Sequence, residues 1–257
     1  MFNLHDLFRI SWLKEEQCIR CDTRPADVIF LLDSSSSVGG NFNTEKQFIV
    51  NFTQAVHIGP NKVQVGVVRY AFNAATEISL NDYGSEGPLR QAINNIPYIS
   101  GGTNTDAALR FIYYHGFTFQ EGDRPSVPNF LVVITDGFSY NADATVNEAH
   151  RLHRHMKVYA IGIGNNIDTN ELSKIATDGN HMFVVPDYFA LHTLQNELHP
   201  IACNGIECLL LLSVRFDFYQ NSDSEKAGNL HNISVCKSGS GDPFCFLLAA
   251  DIKLRVN

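Results

Sequence analysis

The chain has 257 residues, 44% apolar and 18% charged, which excludes a disordered polymer and is enough to build the core of one large domain with extensions. Its net charge of -8, without any block of lysine and arginine, excludes the electrostatic footprint of a nucleic-acid binder and disfavours anionic membranes. The longest apolar run near the C-terminus, CLLLLSV at 208–214, is far too short to cross a bilayer.

Residues 1–22 read as an extension. They lack a basic-then-apolar leader pattern, because Asp6, Arg9, Lys14, Glu15 and Glu16 interrupt the apolar residues. DVIFLL (27–32) is a continuous apolar run, as expected of a strand buried on both faces. TEKQFIVNFTQAVHI follows with Phe48, Ile49, Phe52 and Val56 on one helical face. VQVGVVRYA (63–71) and the shorter ATEISL (75–80) are two strands close enough to form a hairpin, which predicts one antiparallel edge strand. GPLRQAINNI (87–96) and TDAALRFIYYHGF read as helices, the second with Ala108, Leu109 and Ile112 inward. NFLVVITD (129–136) is again an apolar strand, and DATVNEAHRLHRHM a helix with Val146, Ala149 and His153 on one side. KVYAIGIG (157–164) is a strand, DTNELSKIAT an aspartate-capped helix, and HMFVVP (181–186) the last strand. ALHTLQNELHPIAC closes the series with Leu191, Leu194, Leu198 and Ile201 on one face. Buried strands alternating with amphipathic helices predict an α/β fold with a doubly wound, mostly parallel sheet flanked by helices and one short antiparallel edge strand.

Six cysteines, Cys18, Cys21, Cys203, Cys208, Cys236 and Cys245, all lie outside residues 22–202, where staples flanking a fold would sit. Asn51-Phe52-Thr53 and Asn232-Ile233-Ser234 are candidate glycosylation sequons, and with the cysteines they point to an extracellular setting despite the absent leader pattern.

In open parallel sheets, ligands bind beyond the C-terminal strand ends where the winding reverses. Asp33, Ser35 and Ser37 leave the first strand, Asp136 leaves LVVIT, and the loop SGGTNTD carries Thr103. Two carboxylates and three hydroxyls are hard oxygen donors, suited to Mg²⁺ or Mn²⁺ with about six oxygens; zinc prefers nitrogen and sulfur, and calcium usually takes more carboxylates. The alternation Asp33-x-Ser35-x-Ser37 lets alternate residues face one ion. An open coordination position would accept a carboxylate from a partner protein.

The segments DVIFLLDSSSSVG, GGTNTDAAL and LVVITDG, in this order and spacing, resemble the von Willebrand factor type A domain over roughly residues 25–202. DVIFLLDSSSSV and VYAIGIG are similar to the A domains of matrilins and non-fibrillar collagens. The resemblance implies a doubly wound sheet with a metal-ion-dependent adhesion site at Asp33, Ser35, Ser37, Thr103 and Asp136, the hydroxyls touching the ion and the aspartates often acting through water. It implies residues 23–203 as the domain, with 1–22 before it and an unassigned extension 204–257 after it. It also implies a Cys21–Cys203 disulfide, worth about 5 kcal/mol on the chain-entropy argument. Three pairings then stay open for Cys18, Cys208, Cys236 and Cys245. The expected role is an extracellular adhesion or matrix module, not an enzyme. It would use Mg²⁺ or Mn²⁺ to bind a protein ligand that supplies an acidic residue, such as a collagen, without nucleic acid or membrane insertion.

Blander readings compete at each position. Ser35 and Ser37 could be turn and cap residues, TNTD resembles a capping box, and Asp136-Gly137 could be an ordinary turn. The serine run lacks the Gly-x-Ser-x-Gly elbow of a nucleophile and the Gly-Lys-Ser/Thr of a phosphate loop. A Mg²⁺-dependent phosphatase would want a second carboxylate two residues after Asp33, where Ser35 stands. His150, His153 and His155 read as a solvated helix face rather than a zinc site. A matrix module whose partners bind away from the metal site is the closest alternative.

Overall fold

The computed structural model describes residues 24–198, Ile201 and two short strands, Ser234–Cys236 and Cys245–Leu247. Two compact units divide the chain, residues 1–211 and 212–257. The extension 1–22, the Cys21–Cys203 pair, Cys18, Cys208 and the Asn232 sequon lie outside the described residues.

The first unit is built on one sheet of six strands: β1 (Ala26–Asp33), β2 (Val63–Tyr70), β3 (Ala74–Ile78), β4 (Asn129–Thr135), β5 (Lys157–Ile163) and β6 (Met182–Val185). Their order is β3-β2-β1-β4-β5-β6. All neighbours are parallel except β2 and β3, which pair antiparallel across a tight connection. The chain winds from β1 outward to β3, then returns to β4 on the other side of β1. The reversal therefore falls between β1 and β4.

Burial on both faces explains the continuous apolar runs. Val28, Phe30 and Leu32 of β1 face one layer, and Ile29 and Leu31 face the other. The first layer is roofed by α1 (Phe42–Ala55), α2 (Glu86–Asn95) and a 3-10 helix, Phe189–Leu198. The second is roofed by α3 (Thr105–Phe111), α4 (Ala142–Leu152) and α5 (Thr169–Ile175). Phe30 and Phe52 meet edge to face at 5.2 Å across the first layer. Truncating such a buried ring costs about 3–5 kcal/mol.

Three local readings change. The helix expected through 105–117 is α3 followed by a π turn, Ile112–Gly116, in which Gly116 is packed so tightly that a Cβ would lie 3.3 Å from Ile29 Cδ1. The last helix is of the tighter 3-10 form, yet Leu191, Leu194 and Leu198 are buried as expected. In α4 the buried face runs through Thr145, Ala149 and Leu152, while Val146 is only half-buried. His153 follows the helix and bonds through Nε2 to Ile175 O at 2.9 Å.

In the second unit, β7 (Ser234–Cys236) and β8 (Cys245–Leu247) pair antiparallel, with Cys236 opposite Cys245 in the backbone register.

Candidate metal centre

The C-terminal end of β1 carries the candidate site. Asp33 is the last residue of the strand and has no exposed surface. Its neighbours in the sheet are Tyr70, the last residue of β2, and Thr135, the last of β4. Both turn toward it: Thr135 Oγ1 donates to Asp33 Oδ2 at 2.8 Å and Tyr70 OH at 3.3 Å. The backbone N–H of Ser35 donates to Oδ1 at 2.8 Å, closing a turn in which the carboxylate caps its own loop. Burial pushes the Asp33 carboxyl up to about 6, against the lowering effect of the hydrogen bonds from Ser35 and Thr135. Among the described residues no lysine, arginine or histidine pairs with Asp33 or Asp136.

From Asp33 the chain passes through two serines to the second carboxylate. Ser35 Oγ and Ser37 Oγ are 2.9 Å apart, and Ser37 Oγ donates to Asp136 Oδ1 at 2.6 Å. Asp136 follows β4 directly, so the reversal between β1 and β4 brings together two aspartates 103 positions apart.

The intervening serines do a different job. Ser34 Oγ accepts from Ile99 N at 3.0 Å. Ser36 Oγ donates to Gly101 O at 3.0 Å, lies 3.0 Å from Ser100 Oγ, and its backbone N–H bonds Gly101 O at 2.9 Å. They stitch the serine loop to the 98–104 loop, where Ser100 takes the left-handed φ of 66° and Gly101 a φ of 144°.

Thr103 stands on that second loop, half-buried. The capping-box reading does not hold, because α3 is N-capped by Asn104 without a side-chain bond, and Thr103 joins Tyr140 through its carbonyl only. Among the described residues, no hydrogen bond ties its hydroxyl to the other four. Four of the five predicted residues are thus linked directly, and the fifth borders them on a loop held by Ser34 and Ser36.

Among the described residues, no three His, Cys, Asp or Glu side chains converge to hold a metal by themselves. Any ion here would need the hydroxyls among its ligands. The helix histidines make no such cluster: His150 and His153 lie ring to ring at 5.8 Å, while His155 turns to Tyr113.

Several site neighbours escape a motif reading. Tyr70 and Thr135 carry one usable signal, their place at strand C-terminal ends. The rim carries none. Phe72, Tyr98, Ile99, Phe138 and Tyr140 are all at least 40% exposed, on loops flanking the serine and Asp136 loops. Phe72 and Tyr140 lie nearly parallel, with centroids 6.4 Å apart, over Gly102. A Cβ on Gly102 would lie 2.5 Å from Tyr140 and 2.7 Å from Phe72. Asn104 Nδ2 donates to Phe72 O at 2.9 Å and fixes this arrangement. Asn51 of the first sequon lies half-buried in α1, and its Thr53 hydroxyl bonds Val50 O within the helix.

The family model of the von Willebrand factor type A domain matches residues 27–197. The collagen alpha-4(VI) chain of Mus musculus is 33% identical over 208 residues, which are 80% of this chain and 9% of that one. The collagen alpha-1(XXI) chain of Homo sapiens is 34% identical over 209 residues, 79% of this chain and 21% of that one. Matrilin-2 of Mus musculus is 29% identical over 194 residues, 73% of this chain and 20% of that one. The chain therefore spans about a fifth or less of the length of these relatives. Among solved structures, proximal thread matrix protein 1 from the mussel byssus superposes with a TM-score of 0.67 at 27% identity, over 71% of this chain and 49% of that one. A further structure of that protein, with its MIDAS motif occupied by zinc, gives a TM-score of 0.64 at 24% identity, over 72% of this chain and 48% of that one. The sheet order, the reversal beside Asp33 and the family match over two thirds of the sequence agree: the chain belongs to the von Willebrand factor type A domain family.

Proposed function

We propose that residues 23–203 form an extracellular matrix or adhesion module that binds a protein ligand through a divalent cation, Mg²⁺ or Mn²⁺, at Asp33, Ser35, Ser37, Thr103 and Asp136. The observation that carries this reading is the hydrogen-bonded chain from buried Asp33 and Ser35 through exposed Ser37 to Asp136, which no basic group of the described protein neutralises. Two carboxylates balance a divalent charge, and the hydroxyls supply neutral oxygens. When bound, the cation would offer an electrophilic position to a carboxylate from a partner.

The chain's own residues do the positioning. Thr135, Tyr70 and the Ser35 N–H fix the Asp33 carboxylate, and Ser34 and Ser36 hold the Thr103 loop against the serine loop. Phe72, Tyr98, Ile99, Phe138 and Tyr140 form an apolar rim that would exclude water from the contact and favours an acidic residue with apolar neighbours. Ser35, where a phosphatase would need its general acid, is engaged by Ser37, in keeping with a binding role and not catalysis. The collagen and matrilin relatives support a matrix protein as partner and an extracellular location, and the zinc-loaded mussel protein supports a divalent cation.

Binding to immobilised collagens and other matrix proteins, measured with Mg²⁺, with chelator and with Asp33→Ala, tests the proposal. Binding is expected only for the wild-type chain with cation. Equal binding in all three conditions would place the partner surface elsewhere.

A further inference from the structure

Glu45 is not part of the five-residue set. It lies in the first turn of α1 with no exposed surface. A buried carboxyl is expensive unless its oxygens are satisfied. Only one is: Glu45 Oε1 accepts from Tyr188 OH at 3.3 Å, and Oε2 has no partner. Burial, then the charges of Glu45, Asp136 and Asp33, hold the same tyrosine hydroxyl above its ordinary range. Among the described residues no basic group pairs with Glu45, Asp33 or Asp136. Burial first, then the charges of Asp33 and Asp136, hold the Glu45 carboxyl well above its ordinary range. An apolar side chain would fill this place between helix and sheet at lower cost, so the carboxyl needs a reason that the protein atoms alone do not supply.

We infer that Glu45 is a third, outer carboxylate of the cation site, held by Tyr188 and acting on the ion from beyond its direct ligands through its charge and through water. The inference rests on the cation reading proposed above. It accounts for the unpartnered Oε2, and it agrees with the observation that among the described residues no three acidic groups converge closely enough to ligate an ion together. Such a residue is a liability in the empty protein and an asset in the loaded one. Its removal should therefore change sign with cation, whereas removing a merely tolerated buried acid should not.

The test measures Mn²⁺ binding by calorimetry, and thermal unfolding in chelator and in saturating Mn²⁺, for the wild-type chain, Glu45→Gln, Glu45→Met and Tyr188→Phe. Glu45→Gln and Glu45→Met are expected to weaken Mn²⁺ binding roughly tenfold, equivalent to about 1.4 kcal/mol, and Tyr188→Phe by less. Glu45→Met is expected to melt above the wild type in chelator while gaining less than the wild type from Mn²⁺. Mn²⁺ affinity within twofold of wild type in both folded Glu45 variants overturns the inference and leaves the cation reading intact. So does a Glu45→Met stabilisation that is the same with and without Mn²⁺. If the wild-type chain shows no Mn²⁺ binding, both fall together.

Discussion

Strand β1 carries a buried aspartate at each end, and the two are treated in opposite ways. At the N-terminal end, Asp27 is met by Arg124: Nε donates to Oδ1 at 2.9 Å, Nη2 to Oδ1 at 2.6 Å, and the Arg124 backbone N–H to Oδ2 at 2.9 Å. Arg124 also bonds three carbonyls, of Ala26, Pro60 and Lys62, and so ties its own loop and the loop before β2 to the strand. At the C-terminal end, Asp33 is met by two hydroxyls and its own loop N–H, with a second carboxylate close by. One carboxylate is neutralised from within and completes the fold. The other is organised but left negative, which is the condition a cation site requires.

The sharpest way to break this comparison is to remove the internal cation. Arg124→Ala leaves Asp27 buried without its partner and should cost about 3–5 kcal/mol in urea unfolding, with no recovery on adding Mg²⁺ or Mn²⁺. Recovery by either ion would mean that the two ends are interchangeable. Chelation should come next. At a cation concentration a hundred times its Kd, the wild-type chain should gain about 2.7 kcal/mol over the chelated chain, and Asp33→Ala should gain nothing. A thermal shift of equal size in Asp33→Ala would remove Asp33 from the site.

Smaller effects separate the ion from its rim. Gly102→Ala forces Phe72 and Tyr140 to move, so partner binding should fall by about 1 kcal/mol, roughly fivefold, while cation affinity is unchanged. Parallel loss of both in calorimetry would show that the loop, not the aromatic pair, was damaged. The smallest effect lies far from β1. Asp178 is held below its ordinary value by His181 Nδ1 at 2.7 Å and by the Asn180 N–H. A depressed folded-state value stabilises above the unfolded value of 3.8 and loses that contribution as pH falls through the lowered one. Asp178→Asn should therefore be slightly less stable than wild type at pH 6, with the gap closing in acid unfolding below pH 3.8. A gap independent of pH would assign the effect to helix capping alone.

The fold was legible because burial on both faces leaves continuous apolar runs, which few arrangements other than a parallel sheet with helices on both sides accommodate. The meeting of Asp33, Ser35, Ser37 and Asp136 was legible because strand ends and alternation can be read off the chain. The difference between Ser34 or Ser36 and Ser35 or Ser37 followed from that alternation, and the hydrogen bonds divide them in the same way. Tyr70, Phe72 and Tyr140 were not legible as a group, because their meeting depends on β2 lying beside β1 and on the 98–104 loop crossing between. Glu45 carries no mark in the sequence: nothing local distinguishes a first-turn helix acid that faces water from one that is buried.

The sequence by itself determined the layers, the parallel sheet with one antiparallel edge, and the oxygen-rich loops at strand ends, because each depends on periodicity or on neighbours in the chain. Only the tertiary structure decided which aspartate of β1 is neutralised by the protein and which is not, that an aromatic pair stands over Gly102, and that a helix carboxyl lies buried beside the site. These depend on which loops meet at each end of the sheet, and long-range contacts of that kind leave no periodic trace in the chain.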